Sequence, residues 1–269
     1  MELLDNTDIP SAHRYFLTNA VRELHQDERI AGIAVAGSLA EGDADHYSDI
    51  DLVVAVEPEW HDAVMSERRA IADALGTLVA AFTGEHVGDP RLLVCLYDDP
   101  ILHVDLKFLP LPDAIPVVDN PVVVWARDDR LETVLRQRKG TYPLPDRQWI
   151  EDRFWVWIHY LAGKIARGEL FEALEGLSFL RVTVLAPLGL ARLGLSTSGV
   201  RRLEDKAPEL AEELTATMAS HDRKSLWAAL ESAVTLYRCL REERSDGMER
   251  RTNAEQVAMR TIEELREHA

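Results

Sequence analysis

The chain has few basic residues for its acidity, few cysteines and no long apolar run. Across 269 residues, 30 Lys and Arg stand against 47 Asp and Glu, which gives a formal net charge of −17. Nonspecific binding to nucleic acid needs a basic surface, so no nucleic-acid partner is expected. The acidic balance favours a cationic small substrate or metal ions. Simple solubility explains the same charge equally well.

The scarcity of cysteine and of apolar runs bears on the compartment. Cys95 and Cys239 are far apart in the chain and match no metal-binding or redox spacing. We expect two reduced, buried thiols in a cytoplasmic protein. No apolar run approaches the roughly 20 residues of a membrane helix, so no membrane partner is expected. Residues 1–8 are acidic and lack the basic and apolar regions of a signal peptide.

The sequence does contain a change of pattern near residues 142–145. Before this point short apolar runs alternate with turns, and after it the apolar residues recur at helical spacing. A hydrophobic content of 46% is typical of a folded globular protein. We therefore predict an α+β fold, with a small mixed-sheet domain over residues 1–142 and an α-helical bundle domain over residues 143–269.

Hydrophobic periodicity, together with Pro, Gly and Asp at the segment ends, predicts the individual elements. The first domain is predicted to contain helices over 11–28 and 58–75, strands over 30–36, 50–56, 78–82, 91–97, 101–108 and 122–126, and a loop with four prolines over 109–121. The second is predicted to contain helices over 146–168, 169–194, 209–219, 225–243 and 253–267. The helix over 169–194 is expected to break near residues 187–189, where a proline and a glycine lie close together.

The chain is organised around residues 37–56, in which a Gly-Ser pair, a short acidic loop and a pair of carboxylates follow one another. Gly37 and Ser38 follow one apolar run, and Asp49 and Asp51 begin the next. Strand side chains alternate in direction, so these two carboxylates point to the same face. Two like charges are tolerated there if both are solvated, if one is protonated, or if a divalent cation lies between them.

A third carboxylate, Asp105, lies on the predicted strand 101–108, where it shares a face with His103 and Lys107. If this strand lies in the same sheet as the one that carries the aspartate pair, three carboxylates can form one cluster. The alternative is a half-exposed strand with a solvated polar face. The Gly-Ser pair and the Asp-x-Asp motif upstream favour the cluster.

These residues resemble the nucleotidyltransferase signature of the DNA polymerase β superfamily: Gly37-Ser38, then Gly42, then Ser-Asp-Ile-Asp-Leu over residues 48–52, with Asp105 on a later strand. The glycine follows Ser38 by four residues and the first aspartate follows it by eleven, a spacing more specific than Asp-x-Asp alone. A small nucleotidyltransferase domain before a helical bundle resembles the aminoglycoside and lincosamide adenylyltransferases. The resemblance in motifs covers about residues 30–110, and beyond them it is only architectural.

The resemblance implies a nucleotidyltransferase that uses Mg²⁺ and moves AMP from ATP to a hydroxyl of a small molecule, such as an aminoglycoside or lincosamide antibiotic. Asp49, Asp51 and Asp105 would be the catalytic residues and the ligands of two Mg²⁺ ions. Asp105 would act as a metal ligand, as a general base, or as both. Gly37 and Ser38 would bind the triphosphate of the nucleotide.

Lys164 is a further candidate for nucleotide binding, because it lies near the edge of a polar stripe on the predicted helix 146–168. Such a stripe is usually a solvated face. It can also face a cleft between the domains, from which Lys164 would reach the triphosphate. Two other functions stay open: the same chemistry on a metabolite or protein side chain, or a nucleotide-binding regulatory module without catalysis. The complete set of three aspartates speaks against the module.

Overall fold

A computed structural model describes residues 8–242 and 247–267 of the chain. They form two compact units, which divide between Thr141 and Tyr142. The first unit is a mixed sheet with helices, and the second is helical, so the predicted α+β class is confirmed. The predicted boundary lies one residue further along the chain. The outer ends of the predicted domains, and residues 1–7 of the acidic amino-terminal segment, lie outside the described residues.

The first unit contains every strand that the periodicity predicts and both of its longer helices. Its elements are α1 (Ser11–Leu24), β1 (Ile30–Ala36), α2 (Gly37–Glu41), β2 (Ile50–Val56), α3 (His61–Ala74), β3 (Thr77–Gly84), β4 (Asp89–Asp98), β5 (Leu102–Pro110), β6 (Val122–Ala126) and α4 (Arg130–Leu135). The periodicity does not predict α2 or α4, because a helix of five or six residues is too short to show a periodic pattern.

Within the described residues the sheet has six strands in the order β3-β4-β5-β2-β1-β6. β2 and β5 pair in parallel, and the other neighbours pair antiparallel. The predicted hairpin of β4 and β5 is confirmed, and β6 lies at an edge as expected. This order places the end of β1, the beginning of β2 and the middle of β5 side by side.

The two faces of the sheet are covered differently. One face packs against α1 and α3 in an apolar core, to which Phe16, Val54 and Phe108 belong. Burial of each such side chain stabilises the fold by about 1.5–3 kcal/mol. The other face carries smaller residues such as Ala34 and Ala55, and α4 contributes to their cluster. Alternation along β2 and β5 directs the aspartates of these strands to this second face.

The second unit contains the five predicted helical segments and one short helix, α8, that is not predicted. Its elements are α5 (Arg147–Arg167), α6 (Leu170–Leu180), α7 (Ala186–Arg192), α8 (Leu203–Lys206), α9 (Pro208–Thr215), α10 (Arg223–Glu242) and α11 (Thr252–Glu267). α5 begins after Asp146, whose carboxylate accepts a hydrogen bond from the Trp149 amide at 2.9 Å. The last residue of one predicted helix, Glu243, lies outside the described residues.

The prediction of a helix break near residues 187–189 is wrong. The helix continues from Leu170 to Arg192, and its irregularity is a π-helical turn at Arg181–Leu185, just before α7. Pro187 has no N–H to donate to the preceding turn of helix. The wider π-helical turn upstream accommodates a residue that cannot donate this hydrogen bond, so the helix continues through the proline.

This same helix, Leu170–Arg192, is long and apolar enough to cross a membrane by length and composition alone. The charged residues Glu172, Glu175 and Arg181 interrupt it in sequence, so no uninterrupted apolar run of that length is visible. Half of its most apolar 18-residue stretch is buried inside the structure, which is typical of the core helix of a folded unit. The length test is therefore weak support for a membrane span.

Both cysteines are free, but only one has the predicted burial. Cys95 is buried in β4, and its burial raises the pKa of the thiol to about 12. Cys239 lies exposed on α10, so the prediction of a second buried thiol is wrong.

Candidate active site

The strand register brings two of the three predicted carboxylates directly together. Asp51 is the second residue of β2, and it pairs with Asp105 of β5 on one side and with Ala36 of β1 on the other. Neighbouring strands lie about 4.8 Å apart, so the two side chains extend from adjacent positions on one face. Asp49 comes immediately before β2 and is half-buried.

Asp51 and Asp105 line a pocket of about 220 Å³ and do not point into the apolar core. The side chain of Asp105 is 22% exposed. Over residues 8–242 and 247–267, however, no group of three or more His, Cys, Asp or Glu side chains is arranged to hold a metal ion by itself. The protein therefore offers a partial ligand set at this place.

A partial set of carboxylates nevertheless suits Mg²⁺. This ion prefers hard oxygen ligands and is usually held by one or two carboxylates together with substrate phosphates. The adjacent pair of Asp51 and Asp105, with Asp49 two residues away, has this donor chemistry. That all three bind two Mg²⁺ ions stays a prediction.

Gly37 lies against the carboxylate of Asp51 and has a backbone that only glycine adopts easily. Its φ angle is +62°, in the left-handed region. A Cβ atom built on Gly37 would collide with Oδ2 of Asp51. No side chain fits between the backbone and the carboxylate, so a group bound to Asp51 can approach this backbone closely.

The hydroxyl of Ser38 is the second unusual feature beside Asp51. Its Oγ atom is buried and has no hydrogen-bond partner in the part of the chain that the structure describes. Burying a hydroxyl without a partner costs about 1–3 kcal/mol. A phosphate oxygen would accept the hydrogen bond that this group can donate. The position next to Gly37 therefore suits the predicted binding of the triphosphate, which stays a prediction.

His103 and Lys107 share the face of Asp105 as predicted, but they have different partners. Nε2 of His103 lies 3.0 Å from Oδ1 of Asp105. Nζ of Lys107 lies 2.7 Å from Oδ2 of Asp89. Burial raises the pKa of Asp89, but Lys107 and Arg91 outweigh this effect and lower it. Asp105 thus has an imidazole partner, whereas the charge of Lys107 is balanced by Asp89.

His13 also supports the site, although no motif in the sequence indicates it. It lies on α1, is only 1% exposed, and its Nε2 is 2.7 Å from the carbonyl oxygen of Ser48. A carbonyl can only accept a hydrogen bond, so Nε2 carries the proton. The bond fixes the residue that directly precedes Asp49. Helical spacing could have indicated that His13 is buried, because His13 shares the buried face of α1 with Phe16, Leu17 and Ala20.

Lys164, the remaining candidate, lies on α5 in the second unit. Its Nζ is 2.6 Å from Glu169 Oε2 and 3.7 Å from Glu172 Oε1. The hydrogen bond with Glu169 raises the pKa of Lys164, so the amine stays protonated at neutral pH. These partners belong to the helical unit, and a role in nucleotide binding stays a prediction.

Comparison with known proteins agrees with the class that the fold and site define. Residues 17–78 match the family model of the nucleotidyltransferase domain. The match includes Gly37, Ser38, Asp49 and Asp51 and ends before Asp105. The predicted resemblance is confirmed: the chain contains a nucleotidyltransferase domain, which supports a nucleotidyltransferase enzyme.

Among solved structures, an aminoglycoside 6-adenyltransferase from Bacillus subtilis is similar to this chain over most of its length. The two are 16% identical, the similarity covers 96% of this chain and 99% of the other, and the TM-score is 0.41. This likeness is too distant to bear on the substrate. No match was found among curated proteins.

Proposed function

We propose that the protein is an Mg²⁺-dependent adenylyltransferase. It transfers AMP from ATP to a hydroxyl group of a small molecule, such as an antibiotic of the aminoglycoside or lincosamide type. The observation that carries the proposal is the pairing of Asp51 with Asp105 beside Gly37 and the unpartnered Ser38 hydroxyl. A cytoplasmic location belongs to the proposal, because ATP is supplied there and both thiols are free.

Each residue of the candidate site has a distinct role in this reaction. Gly37 lets the phosphates approach the backbone, and Ser38 donates a hydrogen bond to a phosphate oxygen. Asp49, Asp51 and Asp105 would hold Mg²⁺, which neutralises phosphate charge and orients the attacking and leaving oxygens. The acceptor oxygen forms a bond to the α-phosphorus while the bond to pyrophosphate breaks.

The proton of the acceptor hydroxyl also needs a base. Asp105 is the candidate, because it lines the pocket beside Asp51 and is partly exposed. His103 contacts Oδ1 of Asp105, which limits the rotation of the carboxylate and leaves Oδ2 for the hydroxyl. Pyrophosphate leaves with its charge carried by the groups that bind the triphosphate.

Incubation of the protein with labelled ATP, Mg²⁺ and a panel of aminoglycosides and lincosamides tests the proposal. The expected result is an adenylylated antibiotic detected by mass, which is lost in Asp51→Asn and when Mg²⁺ is chelated. Asp62→Asn is the matched control, since Asp62 is fully exposed on α3. Binding of ATP without transfer to any hydroxyl compound would contradict the proposal, as would full activity of Asp51→Asn.

A further inference from the structure

The pocket beside the carboxylates has a definite floor and wall, both within the first unit. Its floor is the second face of the sheet, from Asp51 to Val53 in β2 and from Asp105 to Leu109 in β5. Its wall is the loop over residues 114–121, which follows β5. Of the described residues, those that line it include Ala36 but neither Gly37 nor Ser38.

The pocket extends away from the Gly-Ser pair. β1 and β2 are antiparallel, so Gly37, which follows the last residue of β1, lies beside the first residues of β2. β2 and β5 run in parallel away from this end of the sheet. Val53 and Leu109 therefore lie farther from it than the two aspartates, and the pocket continues the line from the Gly-Ser pair through the carboxylates.

This direction decides which substrate enters the pocket. In phosphoryl and nucleotidyl transfer, the attacking and leaving oxygens lie roughly in line on opposite sides of the reacting phosphorus. With pyrophosphate at Gly37 and Ser38 and the α-phosphate at the carboxylates, the attacking hydroxyl comes from the far side. The pocket lies on that side, so it is placed for the acceptor.

The wall of the pocket is mainly apolar, with Ile115, Pro116, Val117, Val118 and Pro121 contributed by the loop. Apart from the two site aspartates, its charged lining residues are Lys107 and Asp119. The ammonium group of Lys107 is already paired with Asp89 at 2.7 Å. A polycationic molecule would need several carboxylates here, whereas the wall provides one.

Hydrogen bonds fix the loop before any ligand binds. The amide nitrogen of the Asn120 side chain donates to Gly140 O at 3.0 Å, and Gly140 N donates to Asn120 Oδ1 at 2.9 Å. Thr141 N donates to Val117 O at 3.1 Å. A wall held in this way loses little conformational entropy on binding, so the shape of the pocket selects its ligand.

We propose that this pocket is the acceptor subsite and that it takes a small alcohol with a mainly apolar body and at most one positive charge. Asp119 would meet that charge. The proposal rests on the proposed nucleotidyl transfer and narrows its acceptor by excluding polycationic molecules such as aminoglycosides. The net charge of −17 by itself would favour such molecules.

Ligand-observed NMR on the full chain, with Mg²⁺ and α,β-methylene-ATP present, tests this subsite. Cyclohexanol has the apolar body that the subsite would take, and glucosamine, which has one positive charge and a polar body, is the contrasting probe. Ile115→Asp places a carboxylate in the apolar wall at a side chain that is 37% exposed, so the fold should tolerate it. Val87→Asp is the matched control, because Val87 is 62% exposed and does not line the pocket.

The expected result is that cyclohexanol binds together with the ATP analogue, and that Ile115→Asp weakens its binding about tenfold. Val87→Asp should bind it like the unmodified protein, and both variants should bind the ATP analogue normally. Displacement of cyclohexanol by the analogue would assign the pocket to the nucleoside and overturn the proposal. Absence of cyclohexanol binding, or tighter binding of glucosamine than of cyclohexanol, would also overturn it.

Failure of the proposed function gives a separate signal. In that case the unmodified protein does not bind α,β-methylene-ATP with Mg²⁺, or it binds the analogue and transfers no AMP from ATP to any hydroxyl compound. Neither result depends on Ile115. A protein that transfers AMP but is insensitive to Ile115→Asp would retain the function and lose the assignment of the pocket.

Discussion

Asp51 and Asp105 occupy directly paired positions on the parallel strands β2 and β5. Like charges at directly paired strand positions destabilise a sheet. Such a pair reduces the stability of the fold, and a cation between the two carboxylates would reverse the effect. The same pair therefore links stability to metal binding.

Neutralising one member of this pair should increase stability and abolish activity. Asp105→Asn keeps an oxygen that can accept from His103 and removes the repulsion with Asp51. Without metal and at low salt, we expect the free energy of unfolding in urea to rise by up to about 1 kcal/mol. Added Mg²⁺ with ATP should raise the melting temperature of the unmodified protein and of Asp62→Asn, but not of Asp105→Asn. A destabilised Asp105→Asn variant would show that repulsion is not the dominant effect.

Replacing Gly37 should separate backbone strain from the loss of space at the site. Gly37→Ala puts a methyl group against Oδ2 of Asp51 at a φ of +62°, so both stability and transfer should fall. Gly88→Ala is the control, because Gly88 has a φ of +77° and open space around its Cβ position. Each variant should lose about 1–2 kcal/mol in urea unfolding from the left-handed backbone. Only Gly37→Ala should lose AMP transfer, and equal activity of the two would contradict the assigned close approach.

His13 should affect activity through the Ser48 carbonyl that it holds. Gln carries its amide nitrogen at a reach similar to Nε2, so His13→Gln should keep the hydrogen bond and most of the activity. His13→Leu removes the partner of a partly buried carbonyl, which costs on the order of 1 kcal/mol of unfolding free energy. Because Asp49 follows Ser48, we expect His13→Leu to raise the Mg²⁺ concentration needed for half-maximal transfer. An unchanged requirement for Mg²⁺ in a folded His13→Leu variant would limit this residue to a structural role.

Local sequence patterns predicted the structural features that depend only on residues close together in the chain. Alternation along β5 placed His103, Asp105 and Lys107 on one face, and the buried residues between them confirm it. The apolar runs before Gly37 and after Asp49 predicted β1 and β2 with their observed ends. These features follow from strand geometry alone, because side chains there alternate whatever the rest of the chain does.

Contacts between distant segments could not be predicted in the same way. The pairing of Asp51 with Asp105 requires β2 to lie parallel to β5, and strand order depends on how the whole sheet packs. The bond from His13 to Ser48 joins residues 35 positions apart. The π-helical turn before Pro187 depends on how the helix packs, which the helix propensities of its residues do not encode. In each case tertiary structure supplies the missing constraint.

The ion pair of Lys107 with Asp89 predicts a pH dependence of stability at the edge of the pocket. Lys107 and Arg91 hold the pKa of Asp89 below its usual range against the opposing effect of burial. A carboxyl whose pKa is lower in the folded state stabilises the protein above its unfolded pKa, and loses this contribution as the pH falls through the folded pKa. Lys107→Met should therefore reduce the free energy of unfolding at pH 7, and the difference should shrink as the pH falls below about 4.

A double-mutant cycle with Asp89→Asn isolates this interaction from other effects of the substitutions. In the Asp89→Asn background, where the carboxyl charge is absent, Lys107→Met should cost less at pH 7 than it costs in the unmodified protein, and this difference should be smaller at pH 3. Urea unfolding of the four proteins at both pH values measures the coupling. A coupling that is equal at the two values would show that Lys107 stabilises the pocket through its aliphatic chain and not through the charge of Asp89.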